Sequence, residues 1–170
     1  IRSAGELMPA EGPVLAWFAT LLKWVPGAER FFRPNLSGQW FYEVRYGKTE
    51  WNPYRNMRVQ YMAQILQDGS GKISGDSEKI LDLELNGQRR TYVGKWRVRT
   101  RVTGQLTFSV RPLGWLIHLH IAESGHERDS SSTHELTAKW GEKSILGTFT
   151  TTIANSSGTS HWKRDQFLNF

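Results

Sequence analysis

From Ser37 onward the chain consists of short segments in which apolar and polar residues alternate with a period of two. Glycine, asparagine, aspartate and serine separate these segments, and no stretch of ordinary helical length interrupts them. Alternation of this kind places successive side chains on opposite faces of a strand. Short alternating strands with frequent turns are typical of an all-β barrel or sandwich. We therefore predict an antiparallel meander closed into a small barrel of eight or nine strands, with a sandwich as the alternative topology.

The alternation also identifies candidate strands and the residues that share one face of each. Hairpins are predicted at 68–72 (DGSGK) and at Asn86-Gly87, a bend at Gly104, and a polar loop at 126–133 (HERDSSST). The alternating segments span residues 38–47, 57–67, 73–77, 80–85, 92–102, 102–110, 115–122, 133–140, 145–153 and 159–166. Residues predicted to share one face of their strand are Trp40, Tyr42, Val44 and Tyr46; Val59, Tyr61, Ala63 and Ile65; and Val102, Leu106, Phe108 and Val110.

The segment 92–102, YVGKWRVRTRV, has the clearest alternation and two very different faces. As a strand it would carry Lys95, Arg97, Arg99 and Arg101 on one side and Tyr92, Trp96, Val98 and Val102 on the other. Residues 85–122 contain no Asp or Glu. Such a basic row is either a solubilising outer face or a surface for an anion, to which arginine offers forked donors. If the aromatic side faces the core, the row lies outside, and the rim residues Arg89, Arg90 and Tyr92 become the better candidates for a pocket.

Residues 1–36 differ from the rest and are treated as a separate segment, with the barrel domain at 37–168. Pro13 and Pro26-Gly27 bracket a predicted helix of about twelve residues, nearly all apolar. This helix is too short to span a bilayer. It is expected either to pack on one end of the barrel or on a second copy of the chain, or to lie at a membrane interface. Because the first residue is Ile1, we expect the chain to be a piece of a longer protein.

Composition limits the classes of function. A formal net charge of +6 and a pI near 9.8 favour polyanionic partners, and eight tryptophans supply rings for a core or for stacking. The absence of cysteine excludes disulfides and thiolate chemistry, which is compatible with a reducing compartment. No nucleophile motif, phosphate-binding glycine loop or carboxylate pair is evident. His118 and His120, with His134 from a neighbouring strand, are a weak metal hypothesis. We therefore predict no enzymatic activity, no cofactor and no metal.

Two resemblances involve specific residues. Gly38-Gln39-Trp40 at the first strand and His161-Trp162-Lys163-Arg164 at the last resemble the lipocalin arrangement. In that family a GxW tryptophan packs against a C-terminal basic residue. The resemblance thus implies a lipocalin-like barrel with a cation-π contact at its closed end.

The second resemblance covers roughly residues 36–165 and rests on LSGQW, AQILQ, DGSGKISG, TYVGKW, STHELTAKW and ILGTFTTTIANSSGTSHWKR in that order. These strings resemble the β-strand-rich domain of bacterial antiphage effectors that join a small barrel to two N-terminal transmembrane helices. The family's barrel binds a cyclic oligonucleotide made during infection, and its membrane part then assembles and damages the inner membrane. The present sequence departs from that pattern, since it offers only the apolar segment 14–25 as a link to a membrane.

The leading hypothesis is a non-enzymatic sensor barrel for a cyclic di- or trinucleotide, forming the cytoplasmic domain of an inner-membrane protein that self-associates; no duplex nucleic acid is expected as a partner. The predicted ligand-binding residues are Arg89, Arg90, Tyr92, Lys95, Arg97, Arg99, Arg101 and Trp115. The alternative is a lipocalin-like carrier of a hydrophobic molecule, with an interior lined by Trp96, Val98, Val102, Leu106 and Phe108. A third reading is an interaction module without a small ligand.

Overall fold

The described part of the computed structural model comprises residues 33–94, 98–110, 113–124, 129–138 and 143–167. These residues form nine strands and two short 3-10 turns, Asn52–Tyr54 and Ile153–Asn155. The strands are β1 Gly38–Lys48, β2 Arg58–Gln67, β3 Lys72–Leu83, β4 Arg89–Thr91, β5 Arg99–Val110, β6 Leu113–Ser124, β7 Asp129–Ala138, β8 Ser144–Thr151 and β9 Ser156–Lys163.

Eight of the strands close into an antiparallel barrel. Their order is β1-β2-β3-β5-β6-β7-β8-β9, and β9 returns to pair with β1. The short strand β4 is additional and pairs with the end of β3. The all-β meander and its closure into a barrel are therefore confirmed, rather than the sandwich. Closure satisfies the backbone groups that an open sheet would leave unpaired at its edges.

The alternation of β1 and β2 predicted the core correctly. Trp40, Tyr42, Val44 and Tyr46 are buried in β1, as are Val59, Tyr61, Ala63 and Ile65 in β2. In β5, Val102 and Leu106 are buried and Phe108 packs against the same cluster. The inward faces of all eight barrel strands thus meet in one hydrophobic core, as the period of two requires.

Strand β3 corrects the prediction of two separate strands at 73–77 and 80–85. It is continuous from Lys72 to Leu83, and a bulge shifts its register against β2, where Gln60 pairs with Leu81 and Tyr61 with Lys79. Ile80 is the extra residue of this bulge. Because a bulge resets the alternation, Asp82 pairs with the inward-facing Val59 and turns inward as well.

The segment 92–102 is not one strand, which corrects the central prediction from its pattern. Strand β4 ends at Thr91 and β5 begins at Arg99, although both pair with β3. Tyr92 N donates to Ile80 O at 3.0 Å and Lys79 N to Val98 O at 3.1 Å, and Val93 and Gly94 are not part of a strand. The Asn86-Gly87 hairpin is present, with Gly87 at φ 84°. Lys95, Trp96 and Arg97 lie outside the described residues.

Two further predictions are corrected by the strands β5 and β7. Gly104 lies inside the continuous strand β5, where a Cβ would collide with the carbonyl oxygen of His118 on β6. Glycine is therefore needed there for close approach of the two strands and does not mark a break between strands. Asp129 to Ser132, predicted to belong to a polar loop, are the first residues of β7.

The first and last strands are joined by Arg164, at the end of the barrel where β1 begins. Its guanidinium carbon lies 4.0 Å from the centroid of the Trp40 ring. The same group donates to Ser37 O at 3.0 Å, Gln39 O at 3.1 Å and Asn35 O at 3.0 Å, while Trp40 Nε1 donates to Leu36 O at 2.7 Å. The predicted contact between Trp40 and a C-terminal basic residue is thus present.

The N-terminal segment, including the predicted helix at 14–25, lies outside the described residues. The domain boundary near residue 36 stays a prediction. Within the described part of the chain, no helix is both long enough and apolar enough to cross a membrane.

We expect Arg164→Ala to lower the free energy of unfolding by about 1–2 kcal/mol, because it removes a cation-π contact and a set of charge-assisted hydrogen bonds. Urea denaturation followed by tryptophan fluorescence measures this loss. Arg164→Lys is the matched variant, and it should recover little of the stability since an ammonium group lacks the guanidinium fork. Wild-type stability in Arg164→Ala would show that the contact does not stabilise the barrel.

Candidate functional site

A stack of three aromatic rings fills the middle of the barrel. The Tyr42 ring lies between Tyr61 and Trp162, with centroid separations of 4.6 Å and 4.0 Å and interplanar angles of 4° and 9°. These residues come from β2, β1 and β9, where Tyr42 is directly opposite both of its neighbours. Cross-strand pairing therefore fixes the stack, and the three rings occupy the centre of the interior.

The polar atoms of this stack have partners among inward-facing hydroxyl groups. Tyr42 Oη lies 3.0 Å from Ser77 Oγ, and Ser77 in turn contacts Thr100. Burial raises the pKa of the Tyr42 phenol far above its usual value, so it stays protonated. These residues belong to the polar half of the barrel interior, which is the half farther from Trp40.

His134 lies beside the stack and is almost fully buried. Its Nδ1 is 2.9 Å from Ser160 Oγ and its Nε2 is 3.1 Å from Ser132 Oγ, while Trp162 Nε1 donates to Ser160 Oγ at 2.9 Å. Burial lowers the pKa of His134 to about 3. The imidazole is therefore neutral at physiological pH.

Interior space is scarce. A polar cavity of about 20 Å³ is lined by residues including Tyr61, Glu123, Ser132 and His134, and an apolar one of about 20 Å³ lies near Trp40. Each has room for about one water molecule, whereas pockets for drug-sized ligands measure roughly 300–1,000 Å³. An open surface groove of about 370 Å³ lies between the β1–β2 connection and the β3–β4 turn.

At the rim next to the polar half of the interior, Tyr92 covers the charged pair of Lys79 and Asp82. Tyr92 Oη donates to Asp82 Oδ2 at 2.5 Å, and Lys79 Nζ lies 3.4 Å from Asp82 Oδ1. Lys79 Nζ is 5.0 Å and Arg90 Cζ 5.5 Å from the centroid of the Tyr92 ring. Burial, together with the hydrogen bond to Asp82, raises the pKa of the Tyr92 phenol far above its usual value. We call these four residues, with Arg89, the β4 site.

The structure brings two of the predicted ligand-binding residues together, Arg90 and the half-buried Tyr92, whose ring centroid is 5.5 Å from Arg90 Cζ. Arg89 is exposed next to Arg90 on β4, where strand alternation turns its side chain to the other face. Among the described residues, no carboxylate lies within ion-pair distance of either arginine. Their guanidinium groups are thus available to an anion.

Arg99 and Arg101 lie on the outer wall of β5, as the alternation around Val102 predicts. Arg99 Nε is 3.6 Å from Glu78 Oε1, and Arg101 is directly opposite Asp76 on β3. Acidic neighbours therefore offset their charge. Lys95 and Arg97 lie outside the described residues.

Trp115 is not part of the β4 site. It is buried in the core near the Trp40 end, with its ring 5.2 Å from that of Phe108. Alternation along β6 turns Trp115 inward together with Ile117 and Leu119, so its ring is not available at the surface.

The three histidines of the metal hypothesis are not brought together. His118 and His120 are exposed on the outer wall of β6, whereas His134 faces the interior from β7. In the described ranges, no group of three His, Cys, Asp or Glu residues is arranged to hold a metal ion.

Sequence reasoning missed Lys79, Asp82, Glu123, Ser132 and Ser160. Asp82 turns inward because of the bulge at Ile80, which has no distinctive sequence signal, whereas Lys79 continues the inward alternation of Ile73 and Ser77. The positions of Ser132 and His134 could have been found from β7, where Ser132, His134, Leu136 and Ala138 recur with a period of two. That phase places the histidine on the same face as buried apolar residues.

Comparisons with known protein families, with curated proteins and with solved structures find no significant match. The barrel architecture and the β4 site are therefore the observations available for an argument about function.

We expect His134 to make the protein acid-sensitive. Its folded pKa of about 3 lies below the ordinary histidine pKa of 6.5, so the stability that the neutral imidazole contributes is present above pH 6.5 and lost as the pH falls toward 3. Between pH 7 and 4.5 the wild type should lose about 2 kcal/mol more than His134→Gln, which cannot take up a proton. Urea denaturation of both proteins at several pH values measures the difference. Parallel curves would contradict the assignment, since the carboxylates that also titrate in this range are common to both proteins.

Proposed function

We propose that the barrel is a non-enzymatic binding domain for a cyclic di- or trinucleotide, held at the β4 site by Arg89, Arg90 and Tyr92. The observation that supports the proposal most directly is the pair of exposed arginines on β4 that form no ion pair in the described structure, one of which, Arg90, lies 5.5 Å from the centroid of the Tyr92 ring. Forked guanidinium donors suit phosphate oxygens, and an aromatic ring suits a nucleobase.

Local charge also favours an anion at this site. Lys79 adds a third cation beside the Tyr92 ring, although Asp82 offsets most of its charge at 3.4 Å. The acidic group in the β3–β4 turn is Glu84, whose carboxylate accepts a hydrogen bond from Asn86. The net charge of +6 would further attract a polyanion from solution.

The volume of the interior favours binding at the rim over binding inside the barrel. The two interior cavities, of about 20 Å³ each, are far smaller than a dinucleotide. A lipocalin-like carrier would need the stacked rings to separate before a hydrophobic molecule could enter. The carrier is therefore the second candidate, and the apolar cavity near Trp40 would be its starting point.

The proposal has a wider part, which rests on the resemblance to antiphage effectors. On that basis ligand binding would drive several copies of the chain to associate at the inner membrane, through residues at or before the N-terminus. Size-exclusion chromatography with light scattering, with and without a bound cyclic nucleotide, tests the first step of this coupling. An unchanged mass with the ligand bound would limit the function to binding.

We expect one member of a panel of cyclic di- and trinucleotides to bind the wild type in isothermal titration calorimetry. The double variant Arg89→Ala, Arg90→Ala should bind it at least about 100-fold more weakly, because it removes two charge-assisted hydrogen bonds of about 1.5–3 kcal/mol each.

The matched control is Lys72→Ala, Lys143→Ala, which removes two positive charges from exposed residues at the Trp40 end of the barrel. It should bind like the wild type. Equal loss in both double variants would indicate a general charge effect, and no binding of any panel member by the folded wild type would refute the proposal.

A further inference from the structure

Trp162 determines which atom donates and which accepts in each hydrogen bond around His134. An indole N–H is a donor only, so Trp162 Nε1 donates to Ser160 Oγ at 2.9 Å. Ser160 is fully buried, and the described residues that contact its hydroxyl are Trp162 and His134. The hydroxyl hydrogen of Ser160 therefore has one acceptor within reach, which is His134 Nδ1 at 2.9 Å.

The opposite arrangement would leave a buried donor without a partner. If Nδ1 carried the ring hydrogen, Ser160 would accept two hydrogen bonds and its own hydrogen would have no acceptor among the described residues. A buried unpaired donor bears the full cost of its desolvation. Nδ1 is therefore the acceptor, and the ring hydrogen of the neutral imidazole is on Nε2.

This tautomer determines what Ser132 can do. With its hydrogen on Nε2, His134 donates to Ser132 Oγ across 3.1 Å. A serine nucleophile needs the reverse, a histidine nitrogen free to accept the serine proton. Ser132 is consequently not activated for attack, and its own hydroxyl hydrogen is free to point into the polar cavity that it lines.

Glu123 provides a second polar group in the same cavity. On β6 it is directly opposite Ser130 of β7, so Ser132 is its diagonal neighbour on the inward face. Diagonal neighbours in a sheet have Cα atoms about 7–8 Å apart, which leaves room for one small group between their side chains. The described residues supply no hydrogen-bond donor to the Glu123 carboxylate. The cavity between them, of about 20 Å³, matches a single group of the size of water.

We infer that this cavity is a binding site for one hydroxyl group of a small alcohol, polyol or sugar. The hydroxyl oxygen accepts a hydrogen bond from Ser132, and its hydrogen is donated to Glu123. A hydroxyl group is suited to this pair because it accepts and donates at one atom. The inference concerns a site other than the β4 arginines and does not depend on the nucleotide proposal.

Nitrogen-15 NMR of the histidine side chains tests the direction of the hydrogen bonds. At pH 7 His134 should show a protonated Nε2 and an unprotonated Nδ1, and the population of that tautomer should fall in Trp162→Phe, which lacks the initiating donor. A protonated Nδ1 in the wild type would overturn the inference.

Titration with glycerol tests the site itself. The His134 Nε2–H resonance should shift in a saturable way with glycerol and not with 1,2-dimethoxyethane, which has no hydroxyl group. Ser132→Ala should weaken glycerol binding by about tenfold, the size expected for loss of one well-formed hydrogen bond. Ser144→Ala, at the other end of the barrel, should bind like the wild type. The inference fails if glycerol gives no saturable shift in the wild type or binds Ser132→Ala equally well.

Discussion

The stacking of Tyr61, Tyr42 and Trp162 is the interaction on which the rest of the barrel depends. Offset or parallel rings at 4.0–4.6 Å bury large apolar surfaces and, in addition, hold β2, β1 and β9 in one register. The Tyr42 hydroxyl and the Trp162 indole N–H must be paired inside the barrel, and Ser77 and Ser160 are their partners. The interior has a polar half because tyrosine and tryptophan, unlike purely apolar residues, bring polar atoms that need partners.

A filled interior has a direct consequence for function. Arg164 and Trp40 close one end of the barrel, and the ring stack occupies the middle, so the described structure has no internal chamber for a large ligand. A large ligand would therefore have to bind at the rim, where β4 pairs with the end of β3. Arg99 on the outer wall of β5 lies 3.6 Å from Glu78, whereas neither Arg89 nor Arg90 forms an ion pair among the described residues. Arg90 is directly opposite Asp82 of β3, but Lys79 and Tyr92 already contact that carboxylate.

The sequence predicted those parts of the fold that depend on strict alternation. The inward faces of β1 and β2, the Asn86-Gly87 hairpin and closure into a barrel follow from a period of two and from turn chemistry. It could not predict the inward position of Asp82, because one extra residue at Ile80 reverses the faces beyond it without changing the composition. Nor could it show that the run at 92–102 leaves the ladder, since alternation gives no information about where pairing stops. Arg89, Arg90 and Tyr92 are candidates from the sequence because they precede the basic row at the rim. The contact of His134 with Ser160 joins β7 to β9 and has no local sequence signal.

The central claim is that ligands bind at the rim of a barrel whose ring stack stays intact. Chemical-shift mapping with a bound cyclic nucleotide tests it most directly. The account predicts shifts for the amides of residues 79–82 and 89–92, with the Trp162 indole N–H resonance unchanged. Large shifts of the Trp162 indole and of the Tyr42 and Tyr61 ring resonances, with β4 unaffected, would contradict it.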